Sequence, residues 1–145
     1  MKKRTILFFV ALFSFGFGFN VFAQQAGPAK AVYHVDNAEI QGLKTLHNLS
    51  YHLDNAPDTT IIVVTHSKGF DFLLKGGKDS STNTEYAPQI KALKARGVKF
   101  EVCENTLKIR NLNKEQFISD ADFTPSGLVR ITTLQFKDGF AYIKP

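Results

Sequence analysis

A single cysteine, Cys103, occurs in the whole 145-residue chain. That scarcity excludes an internal disulfide framework and any two-thiol C-x-x-C redox motif, so the fold must hold itself by packing. The thiol left over is free, pairs with another chain, or reacts. Other signatures are missing too. Gly69, Gly76 and Gly77 fit neither the dinucleotide fingerprint nor the phosphate-binding P-loop. There is no nucleophile elbow and no Ser-His-Asp signature. His34, His47 and His52 are scattered over a strand and a helix, and no carboxylate–histidine group has metal-ligand spacing. The sequence therefore calls for no metal and no cofactor.

Long apolar runs are also absent. The longest, Ile6 to Phe19, covers 14 residues, short of the roughly 20 that a membrane-spanning helix needs. It follows Lys2, Lys3 and Arg4 and precedes Val21, Phe22 and Ala23. A positive start, an apolar run and a small-residue end are the three parts of a secretory signal peptide. Residues 1–23 are thus expected to be cleaved, leaving a single domain over 24–145 in the periplasm with no stable membrane insertion. Losing the three basic leader residues lowers the formal net charge from +5 to +2. Lys91, Lys94, Arg96 and Lys99 sit where a helix ends and a turn begins, ordinary partners of a helix dipole. No nucleic-acid motif accompanies them, so nucleic acid is not an expected partner.

What is present is an alternation of two periods. Lys30 to Asp36 alternates as a strand. Glu39 to Leu53 places Ile40, Leu43, Leu46, Leu49, Tyr51 and Leu53 at helical spacing, with Asn37 or Asp36 as its cap. Thr59 to Val64 is a β-branched run suited to a strand buried on both faces. A short helical or turn segment spans Phe70 to Leu74, and Lys78 to Thr84 reads as a mobile polar loop. A helix over Tyr86 to Arg96 closes at Gly97. Val98 to Val102 is a third strand, followed by helical pieces at Cys103 to Arg110 and Asn113 to Ile118. Ala121 to Thr124, Ser126 to Lys137 and Phe140 to Ile143 add a strand, a helix and a last strand. This order predicts a three-layer α/β/α domain with a five-stranded, mostly parallel sheet of the doubly wound, flavodoxin-like type.

Open parallel sheets bind ligands outside the carboxyl ends of their strands. Those ends deliver Asp36 and Asn37, then Thr65, His66, Ser67 and Lys68, then Cys103, Glu104, Asn105 and Thr106, then Thr124, Pro125, Ser126 and Gly127. Cys103 leads this set, because a thiol at a helix N-terminus has its pKa lowered. His66 or Lys68 would reinforce that effect if the second strand lies beside the third, whereas Glu104 opposes it. Asn37, His66, Ser67, Lys68, Asn105 and Thr106 are the candidate pocket residues. Asp36 and Ser126 read better as helix caps.

The segments VVTHSKGFDFLL, YAPQIKALKARGVKFEVCENTLKIRNL and PSGLVRITTLQFKDGFAYIKP resemble the DsrE/DsrF-like family, and within it a small exported branch. The resemblance runs from Ala31 to Pro145, most specifically at VCENTL and GFAYIKP. It implies a three-layer α/β/α fold, assembly into homo- or hetero-oligomers, and a sulfur-acceptor role for Cys103, which carries sulfur as a persulfide between donor and acceptor partners. Two functions from different classes stand at this point. One is a persulfide carrier or sulfurtransferase-type relay; the other is a non-catalytic ligand-binding or assembly module in which Cys103 only lines a pocket.

Overall fold

The computed structural model describes residues 27–145; the leader expected over 1–23 lies outside the described residues. Five strands, β1 (Lys30–Asn37), β2 (Thr60–Lys68), β3 (Lys99–Cys103), β4 (Ala121–Thr124) and β5 (Ala141–Ile143), alternate with the helices α1 (Ala38–Asn55), α2 (Ala87–Ala95), α3 (Glu104–Arg110) and α4 (Gly127–Phe136). The sheet order is β4-β3-β2-β1-β5, and every neighbouring pair is parallel. All carboxyl ends therefore meet at one edge.

The order dictates where the helices lie. The chain steps one strand at a time from β1 to β4, and right-handed crossovers put α1, α2 and α3 on the same face. It then returns across the sheet to add β5 beside β1, so α4 lies on the opposite face. Two cores follow. Tyr33, Val35, Val63, Phe100 and Val102 pack with Leu46, Leu49, Ile90, Leu93 and Leu107 on the three-helix side. Val32, Ile62 and Val64 pack with Ile131, Leu134 and Phe140 on the α4 side. β2 is central and covered on both faces, which is why Ile61 through Thr65 are all buried.

Helix boundaries have local causes. Asn37 caps α1, its side-chain oxygen accepting the Glu39 N–H at 3.1 Å. Asp36, the other cap candidate, instead pairs with Lys144 at 2.6 Å. Gly97, at φ +92°, turns the chain after α2. The polar segment over 78–84 is more ordered than its composition suggests. One oxygen of Asp79 accepts from the N–H and hydroxyl of both Ser81 and Thr82, at 2.6–3.1 Å. These bonds hold the Asp79 carboxyl down at about 2 and pin the loop from within. Among the described residues no helix is long and apolar enough to cross a membrane.

Candidate functional site

Adjacent parallel strands whose connections leave toward opposite faces open a crevice between them. Here that point falls between β3 and β4. β3 runs into α3 on one face and β4 runs through Pro125 and Ser126 into α4 on the other. Cys103 is the last residue of β3 and the N-cap of α3, paired across the ladder with Thr124. The amino ends of both helices therefore close on one sulfur.

Cys103 retains 5% exposure at the edge of a cleft of about 270 Å³, which His66, Ser67, Asn105 and Thr106 also line. Burial pushes the thiol pKa up. The Gly127 N–H, the Thr106 hydroxyl and N–H, and the Asn105 N–H outweigh it, leaving the thiol below its ordinary value. The Cys103 side chain makes no capping bond to α3, and the Asn105 N–H also bonds the Pro125 carbonyl at 3.2 Å. Hydrogen bonds from these donors favour the charged form of the sulfur over the neutral one. Glu104, which would oppose ionisation, is drawn off by Lys114 at 2.5 Å.

Two glycines allow this arrangement. A Cβ on Gly127 would come within 3.3 Å of the Cys103 Cβ and 3.5 Å of the His66 Cβ, so α4 approaches the sheet closely only with hydrogen there. A Cβ on Gly69 would fall 2.0 Å from the Val35 carbonyl oxygen. Glycine there lets the chain leave β2 tightly across the end of β1. Just before it, Ser67 takes φ +53°, an uncommon conformation for a side-chain-bearing residue. Its N–H donates to the Thr106 hydroxyl at 3.3 Å and its carbonyl accepts from Arg110 at 3.0 Å.

Of the sequence candidates, Cys103, His66, Ser67, Asn105 and Thr106 come together at the cleft. Asn37 caps α1, and Lys68 stands exposed at the end of β2; neither lines the cleft. Ser126 occupies the N-cap position of α4 without a side-chain capping bond and faces the cleft instead. Gly127 and His34 were not among the candidates. His34 Nε2 lies 2.7 Å from His66 Nε2, and His34 Nδ1 lies 2.7 Å from the Tyr142 hydroxyl. Among the described residues no three His, Cys, Asp or Glu side chains gather as a metal site. A larger cleft of about 550 Å³ near Lys75, Pro88 and Ile118 contains no nucleophilic thiol.

The family model for DsrE/DsrF-like proteins matches residues 41–145. The chain belongs to the DsrE/DsrF-like family. That match spans β2 through β5 and includes Cys103. Among solved structures, the fold is similar to that of a protein of unknown function from Methanobacterium thermoautotrophicum, MTH1491, with 27% identity and a TM-score of 0.71 over 81% of this chain and 99% of that one. It is also similar to the ychN protein from E. coli, with 13% identity, a TM-score of 0.67 and the same coverage; this second likeness concerns the fold alone. No curated protein matches the chain. These DsrE-like neighbours share the five-stranded parallel α/β architecture.

Proposed function

We propose that this DsrE/DsrF-like protein carries sulfane sulfur as a persulfide on Cys103. The observation that carries the reading is the convergence of donors from two helices on one recessed sulfur, which favours its ionised form. A thiolate is the attacking species in sulfur exchange. The step balances without an oxidant. The Cys103 thiolate attacks the outer sulfur of a donor persulfide, a new S–S bond forms, the donor S–S bond breaks, and the donor thiolate leaves with the electron pair. An acceptor thiolate reverses the exchange. The low exposure of Cys103 favours slender reagents, such as a persulfide tail or a polysulfide, over bulky disulfides.

The leader-like residues 1–23 support export to the periplasm with cleavage after Ala23. The intact mass of the protein recovered from that compartment tests it, and a mass retaining the leader would refute it. The family resemblance and the exposed apolar side chains of α4, Leu128, Val129 and Phe136, support assembly with further copies of this chain. Light scattering with and without reductant tests that assembly. A monomer, or an oligomer lost with reductant, would refute assembly by packing.

The central test is alkylation of Cys103 against pH, followed by intact mass after polysulfide treatment. A thiol that ionises below the ordinary cysteine value and gains sulfur is the expected result. An ordinary or raised value with no added sulfur would leave the cleft as a binding pocket.

A further inference from the structure

One polar cluster beginning on the α4 side of the sheet reaches the Cys103 cleft without bonding to the sulfur. His34 on β1 and His66 on β2 face each other, Nε2 to Nε2, at 2.7 Å. At the outer end, the Tyr142 hydroxyl on β5 lies 2.7 Å from His34 Nδ1. At the inner end, the Ser67 hydroxyl lies 2.9 Å from His66 Nδ1 and borders the Cys103 cleft. Tyr142 is 43% exposed and Ser67 is exposed at the cleft mouth, so the line of groups crosses two strands between one solvent-facing end and another beside the thiol.

Two ring nitrogens at that separation share one proton. A neutral imidazole has one N–H and one bare nitrogen, so the direction of a single bond fixes the whole line. In one arrangement Tyr142 donates to His34, His34 donates to His66, and His66 donates to Ser67, leaving the Ser67 proton free to point into the cleft. In the other, every bond is reversed and Ser67 donates back to His66. The two differ by one proton moved from end to end.

We propose that Tyr142, His34, His66 and Ser67 form a proton wire between solvent and the Cys103 cleft, serving sulfur exchange at that thiol. The proposal rests on the persulfide reading and adds the proton that reading leaves unassigned. When a donor thiolate leaves, Ser67 gives it a proton and is refilled by His66 Nδ1. His66 Nε2 takes the proton of His34 Nε2, His34 Nδ1 takes that of Tyr142, and Tyr142 takes one from water. The wire ends in its reversed arrangement, with one proton moved inward and no change in oxidation state beyond the S–S exchange. When an acceptor thiol loses its proton to attack Cys103 persulfide, the same steps run outward and reset the wire.

The surroundings keep both rings neutral. Burial, Lys144 and His66 hold His34 at about 4, with Asp36 opposing. Burial and Lys144 also hold His66 below its ordinary value, again against Asp36. Asp36 is itself paired with Lys144. The one charged residue of α4, Arg130, is committed to Glu101 on β3. Ser67 is held at the inner end by Thr106 and Arg110. A second proton on the pair would set two N–H groups against each other and break the line.

Two slender reagents test the wire on the full protein. Methyl methanethiosulfonate expels a sulfinate that needs no proton, whereas hydroxyethyl disulfide expels a basic alkyl thiolate. The rate of Cys103 modification by each is followed by intact mass at neutral pH. In His34→Gln and His66→Gln alike, the ratio of disulfide rate to thiosulfonate rate should fall by about tenfold or more, below the usual range of general acid catalysis because alkyl thiolates also leave unaided. The ratio cancels any loss of folded protein or of thiolate. An unchanged ratio in both variants overturns the wire. So does a fall in His66→Gln alone, which would make His66 a local donor. Polysulfide treatment separates the two readings. A Cys103 that gains no sulfur refutes the carrier role whatever the ratio does. Sulfur gained with an unchanged ratio refutes only the wire.

Discussion

Arg130 grips Glu101 with both arms of its guanidinium group, Nε to Oε2 at 2.8 Å and Nη2 to Oε1 at 2.9 Å. Arg130 sits one helical turn beyond Gly127, and Glu101 two residues before Cys103 on the same face of β3. The pair therefore fastens the start of α4 to the strand that carries the thiol. Glu101 is 7% exposed, and a bidentate pair fixes orientation as well as distance.

Arg130→Ala should leave a buried carboxylate without its partner. The expected cost is about 2 kcal/mol, between the limits for exposed and buried pairs because the arginine is partly solvated. Alkylation of Cys103 near neutral pH should slow as the Gly127 N–H drifts from the sulfur. Urea unfolding reads the first effect and iodoacetamide kinetics the second. A variant destabilised but unaltered in thiol reactivity would show that α4 is held in place without the pair.

Thr106→Val removes the hydroxyl that favours the Cys103 thiolate and also accepts the Ser67 N–H. The thiol pKa should rise, and alkylation near neutral pH should slow several-fold. One charge-assisted hydrogen bond is worth roughly 1.5–3 kcal/mol, and solvent at the cleft mouth reduces that figure. An unchanged pH profile would mean that the N–H groups suffice.

Gly127→Ala presses a methyl group against two β-carbons of the sheet, at 3.3 and 3.5 Å. Neither atom can swing aside, so α4 must lift by a few tenths of an ångström. Overpacking of this kind costs about 1–3 kcal/mol, measurable as a lower urea midpoint. The alkylation rate should fall with it, since the N–H that moves is the one facing the sulfur.

The histidine pair predicts a pH dependence of stability. His34 is held at about 4 in the folded protein against an ordinary 6.5. As pH falls through 6.5, the unfolded chain takes up a proton that the folded chain refuses until about 4. Stability should therefore be level above pH 6.5 and decline between 6.5 and 4. His66, shifted in the same direction, adds to the slope. His34→Gln should flatten the decline, as read by urea midpoints across that range.

Much of this was legible in the sequence. The run of β-branched residues over 59–64 marked the central strand, because a strand covered on both faces has no polar side to show. The thiol at a strand-to-helix junction was visible because Val98, Phe100 and Val102 alternate as a strand up to Cys103, where the helical run begins. The rest needed strand order, which no local pattern encodes. Gly127 lies 24 positions from Cys103, and only the adjacency of β3 and β4 brings them together. His34 looked scattered because its meeting with His66 depends on parallel register between β1 and β2. Lys68 and Asn37 lie at strand ends as expected, but at the bulged end of the β1–β2 ladder, away from the cleft. The segment over 78–84 looked mobile because its order comes from Asp79 binding its own loop, not from hydrophobic spacing.

The strand order also sets a timetable. β5, the last strand made, lies against β1, the first, and Gln41 near the start of α1 reaches the Pro145 carbonyl at 3.3 Å. A ribosome releases β1 through β4 while the outer edge of β1 still lacks its partner. That edge stays unpaired until β5 emerges. Until β5 emerges, a nascent chain with this topology keeps one side of β1 open to any other strand it meets.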